Sequence, residues 1–232
     1  MVLFIPGFMQ RGDAWRPVAE LLPERYPSAL LDHRENTLEG RLREIAEASR
    51  SSRPVLVGYS LGGRLALRAT IRDPGRYAGL VTIGATAGID DAQLRAARFE
   101  ADERLAAWME AAPIEDVVGI WERQPLFADQ SDALVEHQRP GRLSHDPASL
   151  ALLLRTAGQG ALDSVWHELL RLDLPVLAIA GARDEGYARA ARRIAETAPR
   201  GGFAIVEEAG HAPQLQQPDE VARLLLGFLD CL

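Results

Sequence analysis

Short apolar runs alternate with longer amphipathic stretches along most of the chain. Val2 to Ile5, Ala29 to Leu31, Val55 to Val57, Leu80 to Ile83, Val176 to Ala180 and Phe203 to Val206 are nearly continuous in apolar residues and are bounded by Gly, Pro or charge. Such runs predict strands buried on both faces, the signature of a parallel sheet covered by helices. Between them, apolar positions recur at helical spacing over about Ala14 to Leu22, Leu38 to Ser49, Leu61 to Ile71, Tyr187 to Thr197 and Asp219 to Leu229. Strand–helix alternation of this kind predicts an α/β fold with a mostly parallel, doubly wound sheet.

The alternation stops between about Ala85 and Leu174, where no strand-like run occurs. Helical patterns there cover Asp91 to Ala112, Ile114 to Trp121, Ala133 to Gln138, Ala148 to Thr156 and Ser164 to Arg171. Three of the four tryptophans (Trp108, Trp121 and Trp166) fall in this stretch. Neither end has linker-like composition, which argues against a separate domain. The pattern predicts a helical cap over residues 85–174, inserted into a core made of 1–84 and 175–232. Such a cap would overlie the carboxyl ends of the strands, the edge at which open α/β sheets bind ligands.

Composition narrows the chemistry. At 232 residues the chain is long enough for one domain with a full core. A net charge of −7 argues against non-specific binding to nucleic acid or anionic lipid. The single cysteine, Cys231, cannot form an internal disulfide or a thiolate metal cluster. No basic leader and no apolar run of membrane-spanning length occurs, so the expectation is a cytoplasmic protein. All 26 basic residues are arginine, which excludes a lysine Schiff base and favours bidentate binding of carboxylates. His137, His145 and His167 lack metal-ligand spacing, and His33 merely follows a strand. No phosphate-binding or dinucleotide-binding glycine motif is present. These readings leave a small-molecule substrate as the expected partner, with no cofactor and no metal, and leave the oligomeric state open.

The sharpest motif is Gly58-Tyr59-Ser60-Leu61-Gly62, a G-x-S-x-G between the strand ending at Val57 and the helix opening at Leu61. In that context it predicts a nucleophile elbow, with small residues required two positions either side of the serine. A serine hydroxyl needs a base, and the base needs an orienting acid. Asp184, after the strand Val176 to Ala180, and His211, after the strand Phe203 to Val206, supply both in the order Ser, Asp, His. Glu185 is the rival acid, and Asp184 taken alone also reads as a helix N-cap. Two backbone N–H groups, of Leu61 and of Phe8 in the turn Pro6-Gly7-Phe8-Met9, are the candidates for an oxyanion hole.

With these residues placed, the whole chain resembles the α/β-hydrolase superfamily. More narrowly it is similar to the 2-succinyl-6-hydroxy-2,4-cyclohexadiene-1-carboxylate (SHCHC) synthases of menaquinone biosynthesis. Three stretches carry the narrower likeness: Gly58-Tyr59-Ser60-Leu61-Gly62-Gly63-Arg64, Trp121-Glu122-Arg123-Gln124-Pro125-Leu126-Phe127-Ala128, and Leu153-Leu154-Arg155-Thr156-Ala157-Gly158-Gln159-Gly160. They match the family's elbow with its following arginine, its W-Y-x-Q-P-[LV]-F-A and its L-R-x-x-G-x-G. The resemblance implies a lyase that removes a proton from a polycarboxylate and eliminates pyruvate, with Ser60 as base. It implies Arg64, Arg98 and Arg139 as carboxylate clamps, Arg142 as the alternative to Arg139, and Tyr59 and Trp121 as pocket walls. The chain departs from the family at Pro6, at Asp32-His33-Arg34-Glu35 in place of a Gly-rich loop, and at Gln216 in place of a glutamate. The other reading of the same residues is a carboxylic-ester or thioester hydrolase with Ser60 as acyl nucleophile.

Overall fold

Six strands lie side by side in the order β2-β1-β3-β4-β5-β6, and every neighbouring pair is parallel. They are β1 (Val2–Ile5), β2 (Ser28–Leu30), β3 (Val55–Tyr59), β4 (Gly79–Ile83), β5 (Val176–Gly181) and β6 (Gly201–Val206). A computed structural model describes all residues 1–232. The sheet reverses direction of growth at β1, which is flanked by β2 on one side and β3 on the other.

Alternation along each strand sorts its side chains between two cores. Leu3, Ile5, Leu56, Leu80 and Val176 pack on one face under α2 (Leu38–Ala48), α3 (Leu61–Arg72) and α9 (Glu185–Thr197). Val2, Phe4, Val57, Val81 and Ile179 pack on the other under α1 (Arg16–Ala19) and α11 (Pro218–Leu229). This is the doubly wound sheet that the near-continuous apolar strands predict.

Between β4 and β5 the chain is helical: α4 (Ala92–Ala111), α5 (Ile114–Glu122), α6 (Asp132–Leu143), α7 (Pro147–Ala157) and the one-turn α8 (Trp166–Leu169). Helices α4, α5 and α7 share a small apolar cluster of their own, built from Ala106, Met109, Val117, Val118, Leu150, Ala151 and Leu154. Met9, from the loop after β1, enters the same cluster and ties the helices to the sheet edge.

Three element limits differ from the sequence expectation. The first helix is a 3-10 turn over Gly12–Trp15 followed by only Arg16–Ala19, and Leu22 cannot stay helical before Pro23. Helix α6 continues past Gln138 through Pro140 to Leu143, and the ion pair of Arg142 with Glu122 fixes its last turn. Helix α8 is shorter than the pattern, because the Val165 N–H is drawn to the Ala87 carbonyl (2.8 Å) and the chain then turns toward Pro175. A last short helix, α10 (Pro213–Gln216), follows the β6 loop.

Candidate active site

Ser60 is the only residue between β3 and α3, and it makes the turn with φ 50° and ψ −110°. A side-chain-bearing residue at positive φ is strained by roughly 1–3 kcal/mol and persists only where its surroundings force it. Two glycines make the turn possible. A Cβ on Gly62 would lie 2.3 Å from the Ile5 carbonyl oxygen, and one on Gly58 would lie 2.3 Å from the Gly62 carbonyl oxygen. Strand β1 thus crosses directly beneath the start of α3, and the hydroxyl of Ser60 is carried above the sheet edge. Met9 (φ 56°) and Glu208 (φ 57°) are the other two non-glycine residues at positive φ. All three sit just past strand carboxyl ends, on the loops that bear Phe8, Ser60 and His211.

Ser60 Oγ lies 3.1 Å from His211 Nε2, and His211 Nδ1 lies 2.7 Å from Asp184 Oδ2. The imidazole is buried. Asp184 also caps α9 by accepting the Tyr187 N–H at Oδ1 (3.3 Å), so one carboxyl both opens the helix and faces the histidine. Glu185, the rival acid, points away and pairs with Arg189 on the exposed face of α9. The His211 loop is held by Gln216, whose Oε1 accepts the Gly210 N–H (2.9 Å) while its Nε2 donates to Asp129 (3.1 Å). Glutamine at 216 therefore joins this loop to the helical segment. A hydroxyl, an imidazole and a carboxylate in this order can pass a proton from serine to histidine while the acid fixes the tautomer.

Aromatic rings wall the histidine. The Tyr187 ring centroid is 4.5 Å from it, that of Tyr59 5.4 Å and that of Phe127 6.1 Å. Trp121 packs between Phe8 and Phe127, at 5.0 and 5.6 Å. Burial pushes the Tyr59 hydroxyl above the usual tyrosine range, so it stays protonated at neutral pH.

Over Ser60 opens a cavity of about 470 Å³ between the strand ends and the helices α4 to α7. Phe8, Tyr59, Leu61, Arg64, Arg98 and Trp121 line it, together with the Ser60, Asp184 and His211 chain. Phe8 and Leu61 lie on its floor, and the first N–H groups of α3 have no intrahelical acceptor.

Three arginines reach the cavity. Arg64 is buried, its Nε has no hydrogen-bond partner, and burial lowers its pKa from the usual arginine value. Arg98 is held by Asp102 (2.7 Å) and by Gln159 (3.1 Å). The third is Arg142. Arg139 does not line the cavity, which corrects the expectation for that position: its guanidinium pairs with Glu122 and Glu136 and is 41% exposed, whereas that of Arg142 is 4% exposed. Arg139 and Arg142 are three residues apart on α6, and only the second is turned inward.

The sequence did not point to Tyr187 or to the glutamines of this site. Gln10, Gln124, Gln130, Gln138 and Gln159 all line the cavity. Gln159 donates to the Tyr187 hydroxyl (2.6 Å), and Gln138 accepts from Arg142 (3.1 Å) and Gln10 (3.5 Å). Only Gln124 and Gln159 fell inside a quoted motif, and Tyr187 could have been found by its place one turn after Asp184. His33 lies elsewhere, buried against Glu44 (2.7 Å).

A parallel sheet with a strained serine elbow, a hydrogen-bonded Ser–His–Asp chain and a roofed cavity defines a class, and comparison agrees: the chain matches the alpha/beta hydrolase family over residues 2–224 and belongs to it. It is an enzyme of that family similar to SHCHC synthases. A 2-succinyl-6-hydroxy-2,4-cyclohexadiene-1-carboxylate synthase of Serratia proteamaculans (strain 568) is 27% identical over 245 residues, covering 98% of this chain and 92% of that protein. The structure of MenH from S. aureus superposes with a TM-score of 0.89 at 25% identity, over 99% of this chain and 92% of that one. A thermophilic esterase from Thermogutta terrifontis shares the fold, with a TM-score of 0.81 at 22% identity over 99% of this chain and 89% of that one. No helix is long and apolar enough to cross a membrane.

Proposed function

We propose that this enzyme carries out the SHCHC synthase reaction: proton abstraction from a polycarboxylate, followed by elimination of pyruvate. One observation carries the reading. Arg64, Arg98 and Arg142 line the cavity over Ser60, and five glutamine amides stand among its other polar walls. An acyl ester asks for no such set of cations, whereas a substrate with several carboxylates does. The precursor that yields SHCHC and pyruvate carries the succinyl carboxylate, the ring carboxylate and the pyruvate carboxylate, one for each arginine. Residues 85–174 act as the cap that brings Arg98 and Arg142 over the serine.

The contacts among Ser60, His211 and Asp184 support the following steps. His211 Nε2 takes the hydroxyl proton of Ser60, and Asp184 stabilises the imidazolium through Nδ1. Ser60 Oγ takes the proton from the ring carbon made acidic by the succinyl ketone. The electron pair of that C–H bond enters the ring system, giving an enolate whose oxygen is held by the N–H groups of Phe8 and Leu61. Its collapse forms the second ring double bond and breaks the C–O bond to the three-carbon group. Pyruvate leaves as its enolate and recovers the proton carried by His211, leaving no net change at the triad.

The test is pyruvate formation from that precursor, followed together with ring absorbance. The expected result is one pyruvate per SHCHC, with kcat/KM lowered by at least about 10³-fold in Ser60→Ala and His211→Ala at unchanged thermal stability. Turnover of p-nitrophenyl acetate that depends on Ser60, with no pyruvate from the precursor, would overturn the reading in favour of an esterase.

A further inference from the structure

The carboxyl group of Glu122 has no part in the chemistry above, yet it is buried close to the cavity wall. It is 4% exposed at the carboxyl end of α5, where one oxygen accepts from Arg142 (2.9 Å) and the other from Arg139. A buried carboxylate needs neutralising partners, and here two guanidiniums from one face of α6 supply them. The same contact fixes Arg142. Of its five N–H donors, one goes to Glu122 and one to the Oε1 of Gln138, and Gln138 is in turn held by Gln130 (3.4 Å). The guanidinium plane is thereby locked by α5 and α6 together at the cavity wall.

Without Glu122, Arg139 and Arg142 would face each other as two like charges in a water-poor site. Arg139, the more exposed of the two, could move to solvent, but Arg142 is enclosed. With Glu122 the trio carries one net positive charge, and Arg142 keeps its remaining donors for a ligand.

We infer that Glu122 is a positioning residue that orients Arg142 toward a substrate carboxylate and sets the affinity of the site, without touching the reacting atoms. This rests on the proposed lyase reading for its substrate. In Glu122→Ala, KM for the SHCHC precursor rises at least about tenfold, the size expected for misplacing one charge-assisted contact, while kcat stays within about threefold. Arg142→Ala raises KM to a similar extent, and the double variant is no worse than Arg142→Ala alone, because both changes remove the same contact. A purely structural role would instead lower kcat and thermal stability, and its effect would add to that of Arg142→Ala. Glu122→Gln keeps the side-chain shape and, if the alanine variant folds poorly, gives the same comparison with a smaller rise in KM.

Binding of 2-oxoglutarate, read by the fluorescence of Trp121 in the cavity wall, separates this inference from the reaction. Protein that releases no pyruvate, but whose Kd for 2-oxoglutarate rises tenfold in Glu122→Ala, overturns the reaction and keeps the inference. Unchanged KM and Kd in Glu122→Ala, or additive losses in the double variant, overturn the inference.

Discussion

At the scale of single residues, function here turns on a few charged groups whose partners decide their use. Arg142 and Arg139 share Glu122 and a helix, but only Arg142 is enclosed beside the cavity. Arg142→Ala is expected to raise KM at least about tenfold, whereas Arg139→Ala, which leaves Glu122 paired with Arg142, should change it by less than about threefold. Steady-state kinetics on the two variants checks the contrast. Equal effects would mean that both arginines of this face of α6 reach the substrate. The serine, histidine and aspartate were legible in the sequence because each must follow a strand end, and strand ends are visible as limits of apolar runs. The choice between Arg139 and Arg142 was not, since it depends on the rotation of α6 about its own axis.

At the scale of elements, the β3–α3 junction carries the most constraint. Gly62→Ala places a methyl group 2.3 Å from the Ile5 carbonyl oxygen, where backbone and not a flexible side chain must yield. The expected cost is about 1–3 kcal/mol, seen as a lowered denaturation midpoint, together with a drop in kcat as Ser60 shifts from His211. A variant with full stability and full turnover would show that the elbow is less tightly packed than described. The strands and the helices packed on them were legible from periodicity, because burial on two faces leaves nearly unbroken apolar runs. The segment between β4 and β5 was legible as helical but not in detail. Its helix α6 runs through Pro140, which removes one hydrogen bond, and the buried Arg142–Glu122 pair stabilises the turn that a proline would otherwise end. The glutamines of the cavity gave no pattern at all, since amides carry no charge and recur at no fixed spacing.

At the scale of the whole molecule, stability should fall on the acid side for a reason that can be assigned. Burial lowers the pKa of His145 to about 4, beside Arg11 and Arg41, and lowers that of His33 despite its contact with Glu44. The unfolded chain binds protons at these histidines from about pH 6.5 downward, while the folded chain does not until lower pH. The folded state is therefore favoured above about pH 6.5 and loses stability as pH falls toward 4. Thermal denaturation at pH 7 and pH 5 should show a loss that is smaller in His145→Gln than in the parent chain, and an equal loss would remove His145 from the account. The surface holds many arginine–carboxylate pairs, which contribute little each at ordinary salt and do not alter this ordering.

In the proposed reaction Ser60 takes a proton and does not attack a carbonyl carbon. Intact-protein mass spectrometry through a single turnover of the SHCHC precursor tests it most directly. Pyruvate is expected to appear while the protein keeps its unmodified mass at every time point. A covalent adduct on Ser60 that forms and decays with turnover, or the absence of pyruvate, would contradict it.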